Sequence, residues 1–343
     1  MFWSVVALAI ILAGASLVVV WAAPDWVKVR SLVQLKPETS AFHIRSSLYD
    51  LSVTSFKNYT PRTLQNQGSL ILFADRYLLA NGSGDLFVFQ SSPDMDSLEM
   101  RTLIYKVPIN IEEFSSAAGS SVNVKLFRVA DVISRERNGV QRVFVSHHHW
   151  KGAEGCWVMR VSSLQGSFAD LLADEPRLQW NTVFESKPCI PLMAADRPPF
   201  FTGMENGGRM AWLDEDRLLV SIGDHGMDGW ATMVRAAQDT NYSHGSIIAV
   251  NLDDHSSEIY SLGRRNPQGL IVTAAGQIWS TEHGPQGGDK LNLIEKGGNY
   301  GWPLVSYGTE YGSFSWPLST KPGGHEDFIR PFFRGFRRSA CRV

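Results

Sequence analysis

The sequence predicts an all-β protein. Short runs of β-branched and aromatic residues recur along it, each bounded by Gly, Asp, Asn or Pro, and no long segment with a 3.6-residue apolar period appears after residue 24. Many short strands without helices build a sandwich, a barrel or a propeller. A length of 343 residues and a hairpin-after-hairpin rhythm favour the propeller, although no repeat of fixed period can be read. The 11 Trp and 30 Gly suit strands joined by turns.

The elements follow in order. Phe2 to Ala23 is an uncharged apolar run of 22 residues, about 33 Å as a helix at ~1.5 Å per residue, enough to span a hydrocarbon core. It has no basic residue before it and is long for a signal peptide, so an uncleaved membrane anchor is expected, with a cleaved signal as the other reading. Residues 24–67 read as a polar linker that adds an outer strand or helix. Strand signals begin with Leu70–Phe73, Tyr77–Leu79 and Leu86–Phe89, the last two split by the turn Asn81-Gly-Ser-Gly84. They continue at Val124–Val129, Arg142–Ser146, Cys156–Val161, Arg209–Leu213, Arg217–Ile222, Ser246–Asn251, Leu270–Thr273 and Gln277–Ser280.

Composition excludes some functions. Hydrophobic residues make up 44% and charged residues 19%, an ordinary globular balance. A net charge of −2 gives no electrostatic footprint for nucleic acid. The three cysteines show no C-x-x-C spacing, so zinc is not expected; Cys156 and Cys189 are either a disulfide or two buried thiols. In His147-His-His149 neighbouring strand residues face opposite ways, so at most His147 and His149 share a face, and the run reads as a loop-end cluster.

The chemistry concentrates late in the chain. Ser280-Thr-Glu-His-Gly-Pro-Gln-Gly-Gly-Asp-Lys-Leu-Asn292 and Gly297-Gly-Asn-Tyr-Gly-Trp-Pro303 leave little room for a hydrophobic core. Glycines bring bare backbone close to a ligand. The carbonyls of such a loop, with Asp289, suit a hard cation such as Ca²⁺. Upstream, Gly263-Arg-Arg-Asn-Pro-Gln-Gly-Leu270 presents Arg265 and Asn266 on a turn. A cation loop beside an Arg/Asn pair points to a polyanionic cofactor.

These segments, in this order, resemble the soluble quinoprotein glucose/sorbosone dehydrogenases. The family reads G-H-R-N-P-Q-G-L, then E-H-G-P-x-G-G-D-E-L-N, then G-x-N-Y-G-W-P. Gly203-Met-Glu-Asn-Gly-Gly-Arg209 and Leu218-Leu-Val-Ser-Ile-Gly-Asp224 resemble a further family segment. The likeness is dense from about Phe200 to Tyr311 and weak from Gly68 to Pro199. It implies six blades, pyrroloquinoline quinone (PQQ) with Ca²⁺, a sugar substrate oxidised at C1 to the lactone, and an external electron acceptor. It also implies the periplasm, which with the apolar run gives a membrane-anchored, periplasm-facing protein. The domain would cover residues 68–333.

Residue by residue, the resemblance gives the metal to the backbone of Gly284 and Pro285, with Asp289 supporting the loop or a second ion. It places Asn206, Arg265, Asn266, Gln268 and His283 around the cofactor, and Asp224 as a brace. The family's catalytic His falls at Glu205, so the catalytic pair here is Glu205, as substitute base, and Arg265, which stabilises charge on the quinone oxygen. Glu has an unperturbed pKa of about 4.3 against about 6.5 for His, so the role requires a perturbed setting. Lys290 replaces the family Glu and cannot ligate Ca²⁺, which argues against a second ion there. Arg264 replaces the family His and reads as a surface residue. Two other functions stay open: a non-catalytic sugar- or protein-binding propeller, and a Ca²⁺-dependent lactonase using Glu205, Asn206 and Asp224 as oxygen ligands.

The tail, residues 334–343, is basic and shows no alternation. The family continues at this point with a segment like Ala-Trp-Val-Pro-Ser-Ile-Gly-Val. One coding sequence for it, read one base out of frame, gives the tail from Arg334 to Arg342, so a frameshift and an incomplete propeller are expected. A propeller short of its closing blade exposes sheet edges.

Overall fold

The computed structural model describes residues 36–61, 63–91, 97–192, 201–229, 232–308 and 327–334. They form an outlying hairpin and a series of antiparallel sheets taken in chain order. The hairpin is β1 (Glu38–Arg45) with β2 (Asp50–Lys57). The first four-stranded sheet is β3 (Gly68–Phe73), β4 (Arg76–Asn81), β5 (Leu86–Ser91) and β6 (Leu98–Thr102). A short helix α1 (Ile111–Ala118) leads to the second sheet: β7 (Val129–Arg137), β8 (Val140–Lys151), β9 (Cys156–Gly166), the short helix α2 (Phe168–Leu171), β10 (Asn181–Glu185) and β11 (Ile190–Pro191). The third is β12 (Gly207–Trp212), β13 (Arg217–Ile222), β14 (Ser246–Asn251) and β15 (Ser257–Ser261). The fourth is β16 (Asn266–Val272), β17 (Ile278–His283), β18 (Lys290–Ile294) and β19 (Phe333–Arg334).

The sheets are joined through their first strands. β3 packs on β7, β7 on β12 and β12 on β16, and no packing of that extent brings β16 back to β3 among the described residues. A polar clasp runs along this row. Ser69 Oγ of β3 donates to Asp131 Oδ1 of β7 at 2.7 Å, and Asp131 accepts from Arg209 Nη1 at 2.9 Å and from the Met210 N–H of β12 at 2.9 Å. Arg209 Nε then donates to the Gln268 carbonyl of β16 at 3.1 Å. Burial pushes the Asp131 carboxyl up; the Met210 N–H, Ser69 and Arg209 pull against it. Close approach does the rest. Gly208 has φ +94°, and a Cβ there would lie 2.4 Å from the Cβ of Ala130.

Each of β7, β12 and β16 shifts register near its start: between Val129 and Asp131, Gly207 and Met210, and Pro267 and Gly269. Such bulges re-aim side chains at the rim of a sheet. The aromatic and aliphatic faces between sheets form the core, with Phe87, Phe127, Phe144, Trp157, Leu218, Val220 and Ile247 fully or almost fully buried.

The strand expectations hold over much of the chain: Arg217–Ile222 and Ser246–Asn251 coincide with β13 and β14. Val124–Val129 does not, because Val124–Leu126 is a 3-10 turn and the strand opens at Val129. The His147-His-His149 run is not a loop end. It lies inside β8, with the rings of His147 and His149 6.2 Å apart on one side and His148 on the other. Cys156 and Cys189 are disulfide-bonded with Cα atoms 5.7 Å apart.

The apolar run Phe2 to Ala23 lies outside the described residues, as do 335–343 of the basic tail. Among the described residues no helix is long and apolar enough to cross a membrane. The longest, α1, has 8 residues, about 12 Å at ~1.5 Å per residue, against a hydrocarbon core of about 30 Å. The membrane-anchored, periplasmic location expected from sequence is corrected on this finding.

Candidate functional site

The chemistry-bearing residues come together at one end of the sheets. Glu205 and Asn206 enter β12, Asp224 and His225 leave β13, His244 enters β14, Arg265 and Asn266 enter β16, and His283 ends β17. Antiparallel pairing puts strand starts and neighbouring strand ends on the same side, so five segments remote in sequence share one surface.

Arg265 is the hub. Its Nη2 pairs with the Glu205 carboxylate, its Nη1 donates to the Gly284 carbonyl at 3.3 Å, and its guanidinium lies 5.6 Å from the centre of the Trp302 ring. Its backbone is fixed from both sides: its N–H donates to Glu282 Oε1 at 2.8 Å and its carbonyl accepts from the Asp224 N–H at 2.9 Å.

Glu205 has φ +56°, a left-handed conformation uncommon for a side-chain-bearing residue. Gly223 makes the bend possible. A Cβ there would lie 1.7 Å from the Glu205 carbonyl oxygen, so only glycine lets the two backbones meet. The Glu205 carbonyl accepts from the His225 N–H at 3.3 Å, and the Asn206 carbonyl from the Gly223 N–H at 3.1 Å.

Asp224 is fully buried and accepts from Trp302 Nε1 at 2.5 Å. Burial first, then the charge of Glu205, raises its pKa well above the usual carboxylate range, against the pull of Arg265. Asp224 therefore holds a proton more readily than an ordinary carboxylate.

The remaining expected residues divide. Asn206 is buried, with Oδ1 accepting from Arg128 Nη2 at 3.4 Å and Nδ2 without a partner. Gln268 Nε2 donates to Asn266 Oδ1 at 2.6 Å, which orients both amides. His283 and Asp289 are exposed and 3.5 Å apart, and Asp289 Oδ1 accepts the Gly284 N–H at 3.0 Å. Asp289 therefore shapes the glycine loop. The Gly284 carbonyl faces the site, while the Pro285 carbonyl faces Gly308, where a Cβ would lie 1.9 Å from it. Glu205, Asn206 and Asp224 each turn to a different partner, namely Arg265, Arg128 and Trp302, so they do not form one cation cage.

Arg264 is not a surface residue. It is fully buried, stacked 3.9 Å from the centre of the Tyr300 ring, with Nη1 3.5 Å from Glu282 Oε2. Lys290 Nζ lies 3.1 Å from Glu282 Oε1 and Asn292 Nδ2 3.3 Å from Oε2. One buried carboxylate thus serves two cations. Burial would raise the Glu282 pKa, but Lys290, Arg264 and the hydrogen bonds outweigh it and hold it below the usual value. Lys290, which stands where the family has Glu, has an internal partner in Glu282.

Sequence reasoning missed a set of buried imidazoles. His148, His225 and His244 are at most 2% exposed, and gather with Trp157 beside Asn206 and Arg128. Burial lowers the pKa of His148 and of His244 to about 3, and that of His225 well below the usual value. Among the described residues, the trio of His, Cys, Asp or Glu side chains close enough to share a metal is Glu154, Cys156 and Cys189, whose thiols are spent in the disulfide.

The architecture is a row of sequential antiparallel sheets that share one polar end. Residues 192–337 match the family model Glucose / Sorbosone dehydrogenase. It is 33% identical over 134 residues to the aldose sugar dehydrogenase of Escherichia coli, covering 35% of this chain and 34% of that one. It is 34% identical over 123 residues to quinoprotein glucose dehydrogenase B of Acinetobacter calcoaceticus, covering 29% and 26%. The chain thus spans about a third or less of the curated relatives it matches. Among solved structures, the soluble aldose sugar dehydrogenase of Escherichia coli in its apo-form superposes with a TM-score of 0.57 at 22% identity, over 80% of this chain and 73% of that one. The PQQ-bound form of aldose sugar dehydrogenase from Streptomyces coelicolor gives 0.50 at 18% identity, over 86% and 71%. At these identities the superpositions speak for the fold.

Proposed function

We propose that the protein binds PQQ with Ca²⁺ and oxidises an aldose at C1 to the lactone, passing electrons to an external acceptor. One observation carries the proposal. Arg265, Glu205 and the Gly284 carbonyl come from three distant segments and converge on the Arg265 guanidinium. The four sheets are read as blades of a six-bladed propeller within residues 68–333, the arrangement that places this end at the ring's axis.

The residues present fit the cofactor. Asn206 Nδ2 and Arg128 Nε are buried without partners beside one another, donors suited to a carboxylate. The Gly284 carbonyl already faces a cationic group and is suited to Ca²⁺; Pro285 and Asp289 complete or brace the loop. When bound, the quinone supplies the hydride acceptor. Arg265 and Asn266 hold its oxygens, Gln268 orients Asn266, and His283 flanks the loop. Glu205 accepts the hydroxyl proton of the sugar once Arg265 turns toward the cofactor. Asp224, whose pKa is raised by burial and by Glu205, braces Trp302 through its Nε1–H.

The test is sugar-dependent reduction of a dye by the purified full chain supplied with PQQ and Ca²⁺, beside Arg265→Ala. Reduction in the first and loss of at least about 100-fold in the second support the reading, since removal of one preorganised donor costs roughly 10²–10³ in rate. A folded chain that reduces no dye with any aldose overturns it.

A further inference from the structure

The imidazole cluster has no role in the account so far. His148 Nε2, both ring nitrogens of His225, both of His244 and Trp157 Nε1 are buried without a hydrogen-bond partner. The rings form one connected group. Trp157 meets His225 at 4.8 Å and His148 at 5.5 Å, and His225 meets His244 at 5.5 Å, all edge to face. The buried Phe201 ring packs against them, 5.0 Å from Trp157 and 5.4 Å from His148, and continues into the aromatic core through Phe114 and Phe127.

Buried polar groups without partners cost about 1–3 kcal/mol each, and native structures keep few of them. A cluster this dense calls for a ligand that pairs with it. Its chemistry is specific. Each neutral imidazole offers one donor and one acceptor, and the indole one donor. The aromatic faces add apolar walls. Burial keeps all three imidazoles uncharged at neutral pH, so the rings themselves offer no countercharge to an acid or a phosphate, and the neighbouring Arg128 is turned to Asn206. Alternating donors and acceptors between aromatic walls match the hydroxyls and C–H faces of a neutral sugar. The cluster also adjoins the proposed base, because the His225 N–H holds the Glu205 carbonyl at 3.3 Å.

We propose that His148, His225, His244 and Trp157 form the hydroxyl-binding pocket that selects a neutral aldose, with sugar displacing the Phe201 ring packed against them. The inference rests on the reading of the site as a sugar dehydrogenase.

The test is calorimetric titration of the cofactor-free full chain with D-glucose, D-galactose, D-xylose and D-glucuronate, read in parallel by tryptophan fluorescence. The wild type is expected to bind at least one neutral aldose and to discriminate against glucuronate. Phe201→Ala is expected to tighten binding, and His225→Leu and His244→Leu each to weaken it at least tenfold. Those two leucine variants are also expected to melt at or above the wild-type temperature, since each removes unpaired polar atoms; a structural role for the imidazoles would lower it. No binding of any neutral aldose, or binding unchanged in both leucine variants, overturns the pocket. Dye reduction without effect of either leucine variant overturns the pocket and leaves the dehydrogenase reading standing. Glucose binding lost in the variants, without any dye reduction, supports the pocket and removes the dehydrogenase reading.

Discussion

Glu282→Gln probes the device that aims Arg265. The Glu282 side chain is fully buried and makes contacts to Arg264, Lys290, Asn292 and the Arg265 N–H. The glutamine keeps shape but removes the charge, leaving two buried cations facing a neutral amide. Breaking a buried pair in this way costs about 3–5 kcal/mol. At roughly 2–4 °C per kcal/mol, the melting temperature should fall by about 10 °C. Lys290→Met should cost less, because Arg264 still neutralises Glu282, and the double variant should be less unstable than the two losses added. A coupling of about 0.5–3 kcal/mol is expected between residues in one network. Urea unfolding of the full chain at pH 7, followed by tryptophan fluorescence, measures all three variants. The pH dependence carries a sign. A carboxylate with a depressed pKa contributes stability above its unfolded pKa and loses it as pH falls through the folded value, so the gap between wild type and Glu282→Gln should close on acidification. A Glu282→Gln variant within about 0.5 kcal/mol of wild type would refute the buried cluster.

Other perturbations reach different links. Gly223→Ala drives a Cβ to 1.7 Å from the Glu205 carbonyl and should cost at least about 1–3 kcal/mol, with Arg265 losing its partner; near-wild-type stability would argue against the close approach. Asp131→Ala removes the acceptor shared by Ser69, Arg209 and the Met210 N–H; a loss of about 2–4 kcal/mol is expected by chemical denaturation. Replacing Cys156 and Cys189 by Ser should cost up to about 3–4 kcal/mol for a crosslink closing a 33-residue separation, read as a thermal shift lost equally on reduction of the wild type. His148 and His244 titrate at about 3 when folded and at about 6.5 when unfolded, so stability should fall as pH drops from about 6.5 toward 3. Each contributes on the order of 5 kcal/mol across that window, and a flat stability between pH 6.5 and 4.5 would contradict their burial as neutral rings.

Much of the framework was legible because it is local. Turn residues bounded β13 and β14 at the residues observed, and the glycine loops and Arg265-Asn266 stood out by composition. What depended on distant pairing was not. Arg264 read as a surface residue because its partner, Glu282, lies across the β16–β17 ladder, where pairing of Asn266 with His283 creates the buried cluster. The left-handed Glu205 and its pairing with Arg265 need the meeting of β12 and β16, which no local spacing announces. His148 was hidden within a run of three histidines, and His225 and His244 each sit alone in sequence. The turn from Gly223 to Gly226 and the entry to β14 bring the latter two together. The available signal was the His-Gly pair at His225-Gly226 and His244-Gly245, each in a turn beside a strand.

The most direct test of the central claim is a single-turnover spectrum. The full chain, loaded with PQQ and Ca²⁺ and mixed anaerobically with excess aldose in the absence of dye, should show loss of the oxidised quinone absorbance at one equivalent per loaded site. Glu205→Gln should slow that loss, and Arg265→Ala should abolish it. A loaded, folded wild-type chain whose quinone spectrum is unchanged by any aldose would contradict the account.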